Sequence, residues 1–218
     1  MQTETDLQEI RLTIKRGPLD NRPRQLVINS KFLSFEDNDL SSEPYSQVDL
    51  RSIKDFRYGI KPIRGFEFTV GREYQIFIRD QDEYVIKINF KSLYGRRKAE
   101  CHDLYSQIFN ALWRFRFSNI TNDLLDKFKK GEEFTISNAT FTKDKLTITT
   151  TGILKEEIKE INWDKVGTKD YQTYFAIYSI DDPAKINYTY NYLNDWNTGV
   201  LYSVVRTILR DKENETQN

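Results

Sequence analysis

Cys101, His102 and Asp103 stand side by side and supply three side-chain types from which nucleophilic catalysis is built. They include the chain's one cysteine and one histidine. Neighbours on a helix point about 100° apart, so Cys101 and His102 do not form a nucleophile-base pair there. A buried thiol beside an exposed imidazole is the expected arrangement. No internal disulfide and no Cys/His metal cluster can be assembled from one residue of each kind. The carboxylate groups Asp80/Asp82/Glu83 and Asp181/Asp182 fall in predicted turns and lack the spacing and glycine of a calcium loop. With nine glycines in all, the chain carries no phosphate-cradling loop, nucleophile elbow or dinucleotide fingerprint. Acid-base chemistry would rest on carboxylates alone. The expectation is a protein that is not an enzyme, with no metal and no cofactor.

Binding chemistry is better represented. Lys15, Arg16, Arg22 and Arg24 surround Gly17-Pro18 and Pro23 in a predicted hairpin loop, where charge-assisted donors from two sides can hold a phosphate. Asp20 intrudes, and a solvated basic loop is the plainer reading. Arg96-Arg97-Lys98 opens a predicted helix, where the helix dipole disfavours cations, so an anion or acidic partner there is the functional reading. Tyr174, Tyr178, Tyr188 and Tyr190 lie on predicted strands and suit a protein interface, or else ordinary cross-strand pairs. Charges balance at 33 basic and 33 acidic, against a general nucleic-acid binder. The first 118 residues hold 20 Lys+Arg and 17 Asp+Glu, which leaves 13 and 16 for the rest.

Strands and helices must position these groups. Period-2 alternation predicts strands at Ile10/Leu12/Ile14, Phe66/Phe68/Val70, Tyr74/Ile76/Ile78 and Ile86/Ile88/Phe90, then at Phe134/Ile136, Leu146/Ile148, Ile158/Ile161, Phe175/Ile177 and Ile186/Tyr188/Tyr190. Helical spacing covers 95–117 and 195–210, and a connector helix capped at Thr121-Asn122-Asp123 ends at Gly131. Residues 139–148 lie under 26–35 without a gap, and at the same offset of 113 Val48, Leu50 and Ile53 fall on Ile161, Trp163 and Val166. A duplication follows, with domains over 1–118 and 119–218 and a disordered tail from Lys212. No run approaches the roughly 18 apolar residues of a membrane span, and no secretory leader is evident at the acidic N-terminus, so a cytoplasmic protein, peripheral to membranes at most, is expected.

The order of elements resembles tandem bacterial pleckstrin-homology-like (PH-like) proteins. The second half carries the likeness, in Lys130-Gly131-Glu132 entering a strand, the turn Lys143-Asp144-Lys145-Leu146, and Ile161-Asn162-Trp163-Asp164-Lys165-Val166. Lys145 stands where that family's turn often has glycine, and the first half has Leu50 in place of the tryptophan. The resemblance implies a mainly β, α+β chain of two domains, each a curled antiparallel sheet of about seven strands capped by a C-terminal helix. It also implies a binding platform, and the spacing of Lys15, Arg22 and Arg24 is similar to that of phosphoinositide-binding members. The expected function is a scaffold whose paired domains engage a protein or peptide. The alternative is a membrane adaptor that takes anionic lipid headgroups on the basic loop.

Overall fold

The computed structural model describes residues 9–39, 42–151 and 156–216. The chain divides into two compact units, Met1–Ser118 and Asn119–Asn218.

In the first unit, β1 (Ile10–Ile14), β2 (Arg24–Ile28), β3 (Phe32–Glu36) and β4 (Tyr45–Asp49) form a four-stranded antiparallel sheet in chain order. Alternation sends Leu26, Ile28, Leu33, Phe35 and Val48 into the core, and the register aligns Ile28 with Leu33 and Leu33 with Val48. A single 3-10 turn, Leu50–Ser52, follows; Asp49 caps it by accepting the Arg51 amide at 2.7 Å, and Leu50 is buried. A second antiparallel sheet then takes β5 (Ile53–Arg64), β6 (Thr69–Asp80) and β7 (Val85–Leu93) in chain order. Its core face carries Phe56, Tyr74, Ile76, Ile78, Ile86, Ile88 and Phe90.

Helix α1 (Lys98–Leu112) lies on that second sheet, with Tyr58 against Phe109 at 4.7 Å and Tyr74 against Tyr105 at 5.6 Å between ring centroids. Its wider last turn, Trp113–Phe117, stacks Phe117 on Phe56 at 3.5 Å. Arg116 donates to the Ile53 carbonyl at 2.7 and 2.9 Å and to the Arg51 carbonyl at 3.0 Å, which ties the helix end to the 3-10 turn.

Helix α2 (Ser118–Lys130) has no break at Thr121-Asn122-Asp123; it ends where predicted, at Gly131 with φ +76. In the second unit β8 (Phe134–Ile136), β9 (Ala139–Phe141), β10 (Lys145–Thr151) and β11 (Glu156–Asn162) make a four-stranded sheet, again in chain order. The 3-10 turn Trp163–Lys165 buries Trp163, whose indole N–H donates to the Thr142 carbonyl at 2.9 Å and whose ring meets Phe128 of α2 edge-on at 5.4 Å. β12 (Val166–Asp170), β13 (Tyr174–Ser179) and β14 (Asn187–Asn191) form a three-stranded sheet, and Phe175 on it packs against Tyr202 of helix α3 (Thr198–Thr216) at 5.2 Å. Val200, Leu201, Val204, Val205 and Ile208 form the buried stripe of α3.

Three expectations are corrected. Each unit has two separate open sheets, of four and three strands, where one curled sheet of about seven was expected. The physical reason lies at Leu50 and Trp163: each 3-10 turn takes the chain out of extended geometry, so no ladder joins β4 to β5 or β11 to β12 among the described residues. Phe66 and Phe68 are not in a strand; they sit in the turn between β5 and β6, and residues 53–64 form a long strand in their place. The tail is helical through Thr216, while positions 217 and 218 lie outside the described residues.

Candidate interaction surface of the first unit

The four cations of the predicted basic loop do not gather as free charges. Arg24 lies on the same face of β2 as Leu26 and Ile28, points inward and is 1% exposed. Its guanidinium meets Asp20 at 2.8 Å and Asp39 at 2.5 Å. Arg22 pairs with Glu36 and, at 3.0 Å, with Asp39. Arg16 donates to the Asp37 carbonyl at 3.5 Å and lies over the Phe35 ring, 5.7 Å from its centroid. The hydrogen bond from Arg24 holds the Asp39 carboxyl below its ordinary range. A bond from the Gln25 amide, aided by Arg22, does the same for Glu36. A phosphate entering here competes with these carboxylates for the same N–H groups.

Of the helix-opening cations, Arg97 sits just before α1 with φ 58, and its guanidinium grips Glu100 at 2.6 and 2.8 Å. Glu100 is held below the usual carboxyl range, first by that bond and more weakly by the charge of Lys15. Arg96 and Lys98 are exposed. Cys101 is buried, and burial raises its thiol pKa, whereas His102 is exposed. Asp80 accepts the amides of Asp82 and Tyr84 at 3.0 and 2.9 Å, and Glu83 pairs with Lys54 and Arg79. No group of three or more potential metal ligands occurs among the described residues.

The tyrosines divide between two faces. Tyr188 and Tyr190 register opposite Ile177 and Phe175, on the buried face, and Tyr190 is 4% exposed with no hydrogen-bond partner for its hydroxyl. Tyr174 and Tyr178 lie on the other face, half-buried, and the Tyr178 ring rests on Gly167, where a Cβ would lie 2.4 Å from its Cε2. The structure therefore does not assemble these four on one surface.

A different surface emerges at one end of the unit. The β5–β6 hairpin outruns the third strand: β7 ends at Leu93, opposite Gly71, and beyond that pair only two strands continue to the turn, closed by the Gly65 amide on the Phe68 carbonyl at 2.8 Å. At the turn Phe66 is fully exposed and Phe68 64% exposed. The loop after β7 lies against the same end, and the β1–β2 loop is bonded to β7 two residues further back, at Lys91. The Tyr94 amide donates to the Val70 carbonyl at 2.7 Å, and the Lys91 amide to the Arg16 carbonyl at 2.8 Å. The first loop presents Tyr94, 75% exposed, and the second carries Leu19, fully exposed. In the sequence Phe66 and Phe68 read only as a strand, because two aromatics spaced by two give the signal of a half-buried strand. The alternation of Phe56, Tyr58 and Ile60 is the signal that places β5 before them.

No helix among the described residues is long and apolar enough to cross a membrane. No family model, curated protein or solved structure matches the chain. The resemblance to tandem PH-like proteins is accordingly withdrawn, since neither the comparisons nor the open, uncurled sheets support it.

Proposed function

We propose that the protein is a non-catalytic binding protein whose first unit binds through the tip of the β5–β6 hairpin. One observation carries this reading: Phe66 is fully exposed at an end of the unit where Phe68 and Tyr94 are exposed too. Burying one such side chain is worth about 1.5–3 kcal/mol. Single exposed apolar residues are ordinary, whereas a group on adjoining loops marks a surface made to be covered. Pro62, on the outer strand β5, withholds a backbone donor from that edge, which favours recognition by side chains over addition of a partner strand.

Photo-crosslinking tests the reading. A benzophenone amino acid replaces Phe66 or, as a control, the exposed Gln107 of α1, in the full chain expressed in cells. Adducts to protein or lipid are expected from position 66 and not from 107. Equal yields at both, or none at 66, would contradict it.

A further inference from the structure

We infer that the β5–β6 tip inserts into the interfacial layer of an anionic lipid membrane, an inference that rests on the tip being the binding element. Free cations stand here beside exposed aromatic side chains. Residues 61–72 contain Lys61, Arg64 and Arg72 against one acid, Glu67. All three cations are exposed, and none joins an ion pair or side-chain hydrogen bond among the described residues. Arg96, two residues beyond Tyr94, is likewise exposed and unpaired. The contrast with the β1–β2 loop is sharp: there Arg22 and Arg24 are taken up by Asp20, Glu36 and Asp39.

Geometry adds a direction. Phe66 and Phe68 flank the exposed Glu67 at the extremity of the hairpin, in the turn between Arg64 and Thr69, while Lys61 and Arg72 lie further back along its strands. Two aromatic rings outermost and cations behind them match the layers of a bilayer surface, where acyl chains begin beneath a plane of phosphates and the single carboxylate of Glu67 stays among the headgroups. A free phosphate would engage the cations but leave Phe66 and Phe68 in water. An acidic protein would engage both, and the test separates it from a membrane.

The experiment is vesicle sedimentation of the full chain with phosphatidylcholine alone and with phosphatidylcholine containing 30% phosphatidylserine. Three chains are compared: wild type, Phe66→Ser/Phe68→Ser and Arg64→Gln/Arg72→Gln. All four altered side chains are exposed, and circular dichroism checks that each variant folds. Wild type is expected to bind the anionic vesicles and lose binding as salt rises. The arginine variant should bind roughly 30-fold more weakly, each cation near an anionic surface contributing about a factor of five. The phenylalanine variant should lose at least about tenfold. Equal binding to both vesicle types, or binding that neither variant weakens, would overturn the inference. Absence of vesicle binding together with a protein adduct at position 66 overturns the membrane while the tip remains the binding element. Absence of both removes the two together.

Discussion

The backbone amide of Tyr94 donates to the carbonyl of Val70 at 2.7 Å, so the loop that enters α1 is fastened to the hairpin just where that hairpin leaves the sheet. One hydrogen bond thus sets two exposed aromatic segments side by side. Next to it, β6 and β7 approach closely at Gly71, where a Cβ would lie 2.3 Å from the Ser92 carbonyl oxygen and 2.7 Å from Leu93 Cδ2.

That approach gives a stability prediction. Gly71→Ala forces the β6 and β7 backbones apart, and overpacking of this kind costs about 1–3 kcal/mol. The urea midpoint should fall accordingly. An unchanged midpoint would mean the two strands are less closely joined than described.

Tyr190→Phe has the opposite sign. The Tyr190 hydroxyl is buried without a partner, and burial raises its pKa. Deleting an unsatisfied polar group while keeping the ring should be neutral or stabilise by about 1 kcal/mol. A lowered melting temperature would reveal a partner for the hydroxyl.

Acid should loosen the first unit through Asp39. Its folded-state pKa is depressed, chiefly by the bond from Arg24, so its contribution is present above the unfolded value of about 4 and lost as pH falls through the folded value. Asp39→Asn should therefore be less stable at pH 7 and show a shallower decline between pH 6 and 3. Melting curves at a series of pH values check this, and parallel declines would contradict it.

The sequence speaks clearly where a strand is covered on one face and open on the other. Tyr74, Ile76 and Ile78 recur at every second position, and all three are buried as their spacing predicts. β5 was hidden because Lys54, Asp55, Arg57, Lys61 and Arg64 dilute its apolar members and Pro62 argues against a strand, yet an outer strand tolerates all of these. Arg24 shows the converse. Its neighbours Arg22 and Pro23 give it the look of a loop cation, although its two-residue spacing from Leu26 places it on the inward face. Phe66 and Phe68 have the same alternation as a core strand, yet they stand in the turn between β5 and β6, where both are exposed. Periodicity tells which residues share a face; whether that face is covered depends on neighbours distant in sequence.

The most direct measurement follows a polarity-sensitive dye at the tip. Thr69→Cys is exposed, keeps both phenylalanines and every charge, and is labelled in a Cys101→Ala background; Gln107→Cys on α1 serves as the control. On adding vesicles with 30% phosphatidylserine, emission from position 69 should shift to the blue while that from 107 stays unchanged. Unchanged emission at 69, or the same shift at both positions, would contradict insertion of the tip.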